Sequence, residues 1–185
     1  GLMLATVKGS DLLALVKVAD EMRRQKIGDA ITYVVNRNLN FTNICFVGGG
    51  FCGLSRGPKA KDAYFHPAGT LVAKAREAAA LGATEVCIQG GLPRDLDGNY
   101  YAGLLRTIHA SLPELHLHAY SPMEISHGVE RTGLQLDDYL LSLKQAGIGS
   151  IPGTAAEILD DSVRGELSPN KLTVARWIEI VRAAH

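Results

Sequence analysis

Segments rich in β-branched and aromatic residues recur near positions 41, 84, 115 and 149, with helix-like stretches between them. Strands separated by a helix cannot be joined by tight hairpins, so this alternation dictates a parallel sheet with helices packed on its outside. Right-handed crossovers then curl successive units into a barrel-like layer. The expected strands are Phe41–Val47, Thr84–Gln89, Leu115–Tyr120 and a short one at Gly149–Ile151. Helices are expected over Thr70–Leu81, Tyr100–Ser111 and Leu136–Ala146, and on either side of Ser168-Pro169. Four such units are fewer than a closed barrel requires, and the sequence ends at His185. The expected fold class is therefore α/β, a partial (βα) barrel of parallel strands lacking its last βα units. One domain, 1–185, is expected: an N-terminal helix and extended segment over 1–40, and βα units over 41–185. Ser10 is expected to cap the first helix, whose apolar positions Leu12, Leu15, Val16, Ala19 and Met22 fall near the helical period, and Gly28 to end it.

Composition narrows the function classes. With 46% hydrophobic and 21% charged residues, the 185-residue chain is globular rather than disordered. Nineteen basic residues against nineteen acidic ones leave no surplus for a phosphate backbone, so no nucleic-acid partner is expected. No apolar run approaches the length of a membrane span, and no signal-peptide pattern opens the chain. Three cysteines make no disulfide framework, so the expected compartment is the reducing cytoplasm.

The loop after the first expected strand reads Cys45-Phe46-Val47-Gly48-Gly49-Gly50-Phe51-Cys52-Gly53. Gly48, Gly50 and Gly53 match the dinucleotide-binding spacing, but the third glycine should open a helix. Here Leu54-Ser55-Arg56-Gly57-Pro58 follows, a loop sequence with a helix breaker. That context argues against a nicotinamide or flavin site. Cys87 sits on a strand, on the same face as Gln89, where a cysteine behaves as a small hydrophobe.

Active sites of parallel βα folds gather at the carboxyl ends of the strands. Gln89-Gly90-Gly91 ends one strand, and its glycines suit either a turn or a close approach of backbone to ligand. In the next strand Leu115, Leu117 and Ala119 suit packing against helices, leaving His118 and Tyr120 to face the lumen. His116-Leu117-His118 supplies too few ligands for zinc. Ser121-Pro122-Met123-Glu124 reads as a capping box with proline at the first helical position, and Thr154-Ala155-Ala156-Glu157 as a second box. Asp160-Asp161 reads as a solvated face, and Asp95 and Asp97 as turn residues. Ser55 and Ser121 have no base and orienting acid at motif spacing, so a serine hydrolase has no support.

Asn36–Cys45 with Phe51-Cys52, then Thr84–Gly91, His116–Glu124 and Ile151–Asp161, resemble radical S-adenosylmethionine enzymes in that order. Within that superfamily the resemblance is to the FO synthase subunit 2 family, the tyrosine-dependent hydroxybenzyl transferases of deazaflavin biosynthesis, from about Asp11 onward. It implies a radical-SAM-type partial barrel, a 4Fe–4S cluster and S-adenosyl-L-methionine as cofactors, and L-tyrosine and 5-amino-6-(D-ribitylamino)uracil as substrates. A cyclising FO synthase subunit is the implied partner. By the same resemblance Cys45 and Cys52 are the metal ligands, and Gln89, Gly90 and Gly91 bind S-adenosylmethionine. His118, Glu124 and Thr154 are then the catalytic candidates that meet substrate or cofactor. The family's loop is C-x-x-x-C-x-x-C; here the middle position is Gly49, leaving two thiolates. After Gln89-Gly90-Gly91, moreover, the family's aliphatic-His-Pro is replaced by Leu92-Pro93-Arg94. Gly49 and the missing last units make a non-catalytic, truncated or divergent family member (a binding remnant or fragment) the alternative; futalosine-pathway menaquinone enzymes, which share much of the pattern, are a second alternative.

Overall fold

A computed structural model describes residues 2–50 and 52–185; Phe51 of the loop motif lies outside the described residues. The chain divides into two compact units, 1–33 and 34–185. The first unit holds α1 (Leu2–Ala5) and α2 (Gly9–Ile27). Its long helix ends where the sequence predicts, at Gly28, whose φ of 67° suits a residue without a side chain. Its start differs from expectation. Lys8 holds the N-cap position and Ser10 lies inside the helix, because the helical turn already begins at Gly9.

The second unit is a three-stranded parallel sheet, β1 (Asn36–Asn40), β2 (Glu85–Gln89) and β3 (His116–Ala119), in the order β1-β2-β3. Between and after the strands come α3 (Ala68–Ala80), α4 (Asn99–Ser111), α5 (Pro122–Thr132), α6 (Leu136–Gln145), α7 (Asp161–Leu167) and α8 (Val174–Ala184). The fourth expected strand is reduced to one parallel bridge, His118 to Ser150. No described helix is long and apolar enough to cross a membrane.

The first strand lies just before the expected one. Register runs from Asn36 against Glu85 to Asn40 against Gln89, and β1 has only one large apolar residue, Leu39. The more hydrophobic stretch 41–47 leaves the sheet at its carboxyl edge. There the side chains of Thr42 and Asn43 bind the backbone of Asp62 and Tyr64, and isolated bridges join Thr42 to Phe65 and Ile44 to Arg56.

Alternation explains how this sheet separates a core from a site. Leu39, Val86, Ile88, Leu117 and Ala119 point to one face, where Leu71, Ala75, Leu105 and Ile108 of α3 and α4 bury them. The opposite face carries Asn36, Asn38, Asn40, Glu85, Cys87, Gln89, His116 and His118, a polar surface in three register rows. Tyr120 breaks the alternation. Its φ is 61°, its side chain is fully buried, and its hydroxyl donates to the carbonyl of Tyr101 at 2.8 Å. Contrary to expectation, it joins Phe41 and Tyr101 in an edge-to-face aromatic cluster, so that of His118 and Tyr120 only His118 faces the polar side.

Candidate functional site

At the carboxyl end of the sheet lies a cavity of about 370 Å³, within the size range of small-molecule sites. Its walls come from four parts of the chain: the ends of β1 and β2, the glycine-cysteine loop, the start of α5, and the segment from Thr154 to Trp177. Cys45, Cys52, Gln89, Gly90, Gly91, Glu124 and Thr154 all line it. His118 does not. It sits one register row back, level with Cys87, and its Nδ1 lies 2.7 Å from the Ser150 hydroxyl.

Each wall has a local cause. Ser121 caps α5 as the sequence predicts, accepting from the Glu124 N–H at 3.3 Å. Glu124 closes the box: its Oε2 accepts from the N–H and the hydroxyl of Ser121, both at 2.7 Å. Its Oε1 accepts from the Gly90 N–H at 3.0 Å, so one carboxylate ties the end of β2 to the end of β3. Glu124 is 2% exposed, and burial raises its carboxyl to about 7 against the three donors that favour the charge.

The two glycines are demanded by packing. A Cβ on Gly90 would lie 2.5 Å from the Phe41 ring, and one on Gly91 would lie 2.2 Å from the Ile44 carbonyl oxygen. The Gly91 N–H donates to the Thr42 carbonyl at 2.8 Å. With both N–H groups engaged, the turn's remaining polar groups are the Gly90 and Gly91 carbonyl oxygens, which accept no hydrogen bond among the described residues. Gln89 reaches across the cavity, its Nε2 donating to Thr154 Oγ1 at 2.6 Å.

The expected second capping box does not form. Among the described residues no helix starts until Asp161, and Glu157 has a φ of 37° and pairs with Lys171. The carbonyls of Ala155, Ala156 and Ile158 instead accept from the guanidinium of Arg164, which also donates to the Leu172 carbonyl. Arg164 is 6% exposed and fastens this strap to the cavity wall. Asp160, read as a solvated face, caps α7 by accepting from the N–H groups of Ser162 and Val163. Arg164, Lys171 and Trp177 are wall residues that the sequence did not single out; Asn38 and Asn40 announce themselves only as polar alternation on a strand.

The loop itself is held from behind. The Gly50 N–H donates to the Leu167 carbonyl at 3.1 Å, and Asn170 Nδ2 to the Val47 carbonyl at 3.1 Å. Among the described residues no helix opens at Gly53, as the loop sequence predicts. Arg94, of the Pro93-Arg94 pair that stands where the resemblance implies His-Pro, stacks 4.7 Å above the Phe46 ring. A Cβ on Gly49 would lie 2.9 Å from Ser168 Oγ, a buried hydroxyl without a partner. Two cysteines line the cavity where the resemblance implies three, and the described residues form no group of three or more metal-binding side chains. This donor set does not fit a cluster held by three cysteines. Cys87 adds nothing to it: its sulfur contacts Gln89 Oε1 at 3.9 Å and burial raises its thiol.

Comparison with known proteins decides the kinship. No family model matches the chain. It is 49% identical over 184 residues to FO synthase of Mycobacterium tuberculosis, covering all of this chain and 22% of that protein. The chain is a relative of the FO synthases. Streptomyces coelicolor FO synthase is 45% identical over 184 residues, with 21% of it covered. The 5-amino-6-(D-ribitylamino)uracil–L-tyrosine 4-hydroxyphenyl transferase of Methanocaldococcus jannaschii is 48% identical over 177 residues, covering 94% of this chain and 49% of that one. The FO synthase relative thus spans about a fifth of the first proteins and about half of the last. Among solved structures, the FeFe-hydrogenase maturase HydG of Carboxydothermus hydrogenoformans superposes with a TM-score of 0.72 at 18% identity, over 98% of this chain and 40% of that one. That likeness carries the fold alone, an α/β partial barrel of parallel strands.

Proposed function

We propose that this FO synthase relative forms the S-adenosylmethionine- and substrate-binding part of a transferase. The reaction joins the hydroxybenzyl group of L-tyrosine to 5-amino-6-(D-ribitylamino)uracil, and a cyclising subunit takes the product onward to the deazaflavin. What supports this reading is the convergence of Cys45, Cys52, Gln89, Gly90, Gly91, Glu124 and Thr154 on one cavity, in a chain related throughout to FO synthases. The Gly90-Gly91 turn offers oxygen acceptors only, which suits a ligand bearing an ammonium group, as both S-adenosylmethionine and tyrosine do. Gln89 and Thr154 close on each other over the cavity and orient what lies beneath.

A member that binds without reacting is the second reading, and Gly49 favours it. The proposed roles of Gln89, Gly90, Gly91 and Thr154 are to bind and orient the ligand. Calorimetric titration of the full chain with S-adenosylmethionine tests the reading. One molecule is expected to bind per chain, about tenfold more weakly to Gln89→Ala, the loss of about one good hydrogen bond. Absence of binding at millimolar ligand, or equal binding by the variant, contradicts it.

A further inference from the structure

Glu124 is a buried carboxylate with no cation among its partners. A capping box needs its glutamate only for the N-cap N–H, which Oε2 serves. Oε1 is spent elsewhere, on the Gly90 N–H of a different strand end, and Glu124 also lines the cavity. We propose that Glu124 is a positioning residue: its ionised form locks the Gly90-Gly91 turn for ligand, and its protonated form releases it, so cavity affinity falls in acid. The ligand half of this inference rests on the function proposed above; the locking half does not.

The chemistry follows from counting donors. An ionised carboxylate accepts from all three of Ser121 N–H, Ser121 hydroxyl and Gly90 N–H. Oε2 already takes two of these, so a proton settles on Oε1. An O–H there opposes the Gly90 N–H, donor against donor, and the turn loses its tether to β3's end. The titratable groups that feel the charge of Glu124 are Cys87 on β2, Tyr101 on α4, Tyr120 beyond β3 and Tyr139 on α6. Burial raises all four, so each stays neutral while Glu124, placed at about 7, changes charge. A ligand cation near the turn adds to the preference for the ionised form.

The test uses the isotope-labelled full chain followed by nuclear magnetic resonance from pH 5 to 9, beside calorimetry with S-adenosylmethionine at pH 6 and 8. The Gly90 and Ser121 amide signals are expected to move together with one midpoint near neutrality, and to lose that titration in Glu124→Gln. Ser121→Ala, which keeps the carboxylate and removes one donor, is expected to move the midpoint to higher pH. With only the ionised form competent, affinity is expected to be roughly tenfold weaker at pH 6 than at pH 8, since apparent affinity scales with the competent fraction. A Gly90 amide that does not titrate, or a midpoint that Ser121→Ala leaves unmoved, overturns the positioning role. A titrating Gly90 amide without ligand binding at either pH upholds the locking and overturns S-adenosylmethionine as the ligand.

Discussion

Gly91→Ala is expected to lower the melting temperature of the full chain by about 10 °C and to abolish ligand binding in the cavity. The added methyl group would lie 2.2 Å from the Ile44 carbonyl oxygen and 2.7 Å from its carbon, both backbone atoms in a segment already pinned. The Cys45 N–H donates to the Arg56 carbonyl and the Ile44 N–H to Thr42 Oγ1, so the obstructing backbone has no free direction of retreat. Overpacking of this kind costs about 3 kcal/mol, and for a chain of this size each kcal/mol moves the midpoint by about 2–4 °C. The adjoining Cys45 is displaced with Ile44, which is why binding falls along with stability. Thermal denaturation followed by circular dichroism checks the first effect and calorimetry the second. A variant that melts with the parent means that the 41–45 segment does not pack against this turn.

Arg164→Ala is expected to cost a similar amount for a different reason. Its guanidinium donates to carbonyls on both sides of the cavity wall, Ala156 at 2.7 Å and Leu172 at 2.9 Å among them. Hydrogen bonds from a charged donor are worth about 1.5–3 kcal/mol each, and truncation leaves several acceptors without a partner. The strap from Thr154 to Ile158 has no helix or strand of its own to hold it. Limited proteolysis should therefore open the variant first within 154–160, while the sheet and α3–α5 resist. Arg164→Lys is expected to behave almost as badly, because one ammonium cannot span the fork that reaches Ala156 and Leu172 together. Restoration of the parent's protease resistance by lysine would show that charge alone suffices there.

How much of this was legible in the sequence depended on which physical signal a residue carries. Helices α3, α4 and α6 follow from their apolar period, and each lies within two residues of its expected bounds. β1 lies outside the expected span because three of its five side chains, Asn36, Asn38 and Asn40, face the polar surface, so hydrophobicity marks the neighbouring 41–47 instead. The Ser121–Glu124 box was legible because capping is local chemistry between residues three apart. The same pattern at Thr154–Glu157 misled, since Gln89 and Lys171, distant in sequence, claim the two side chains that would have closed it. Tyr120 was misassigned because its positive φ turns the side chain to the helix layer, and strand alternation cannot foresee that. Gly90 and Gly91 were legible as special but not for their reason; only the fold reveals Phe41 and Ile44 in the space a side chain would need.

The central claim is that this chain, similar over its length to FO synthases, has a cavity lined by two loop cysteines where the sequence resemblance implies three. Anaerobic iron–sulfur reconstitution of the wild-type chain beside Gly49→Cys, with iron counted after desalting, addresses it most directly. Room for the new Cβ requires that Ser168 Oγ, 2.9 Å from the Cβ position and without a partner, turn aside. The account predicts that Gly49→Cys retains about four irons per chain and that the wild-type chain does not. Four irons on the wild type would contradict it, because Cys45 and Cys52 would then not be the only protein ligands the cavity provides.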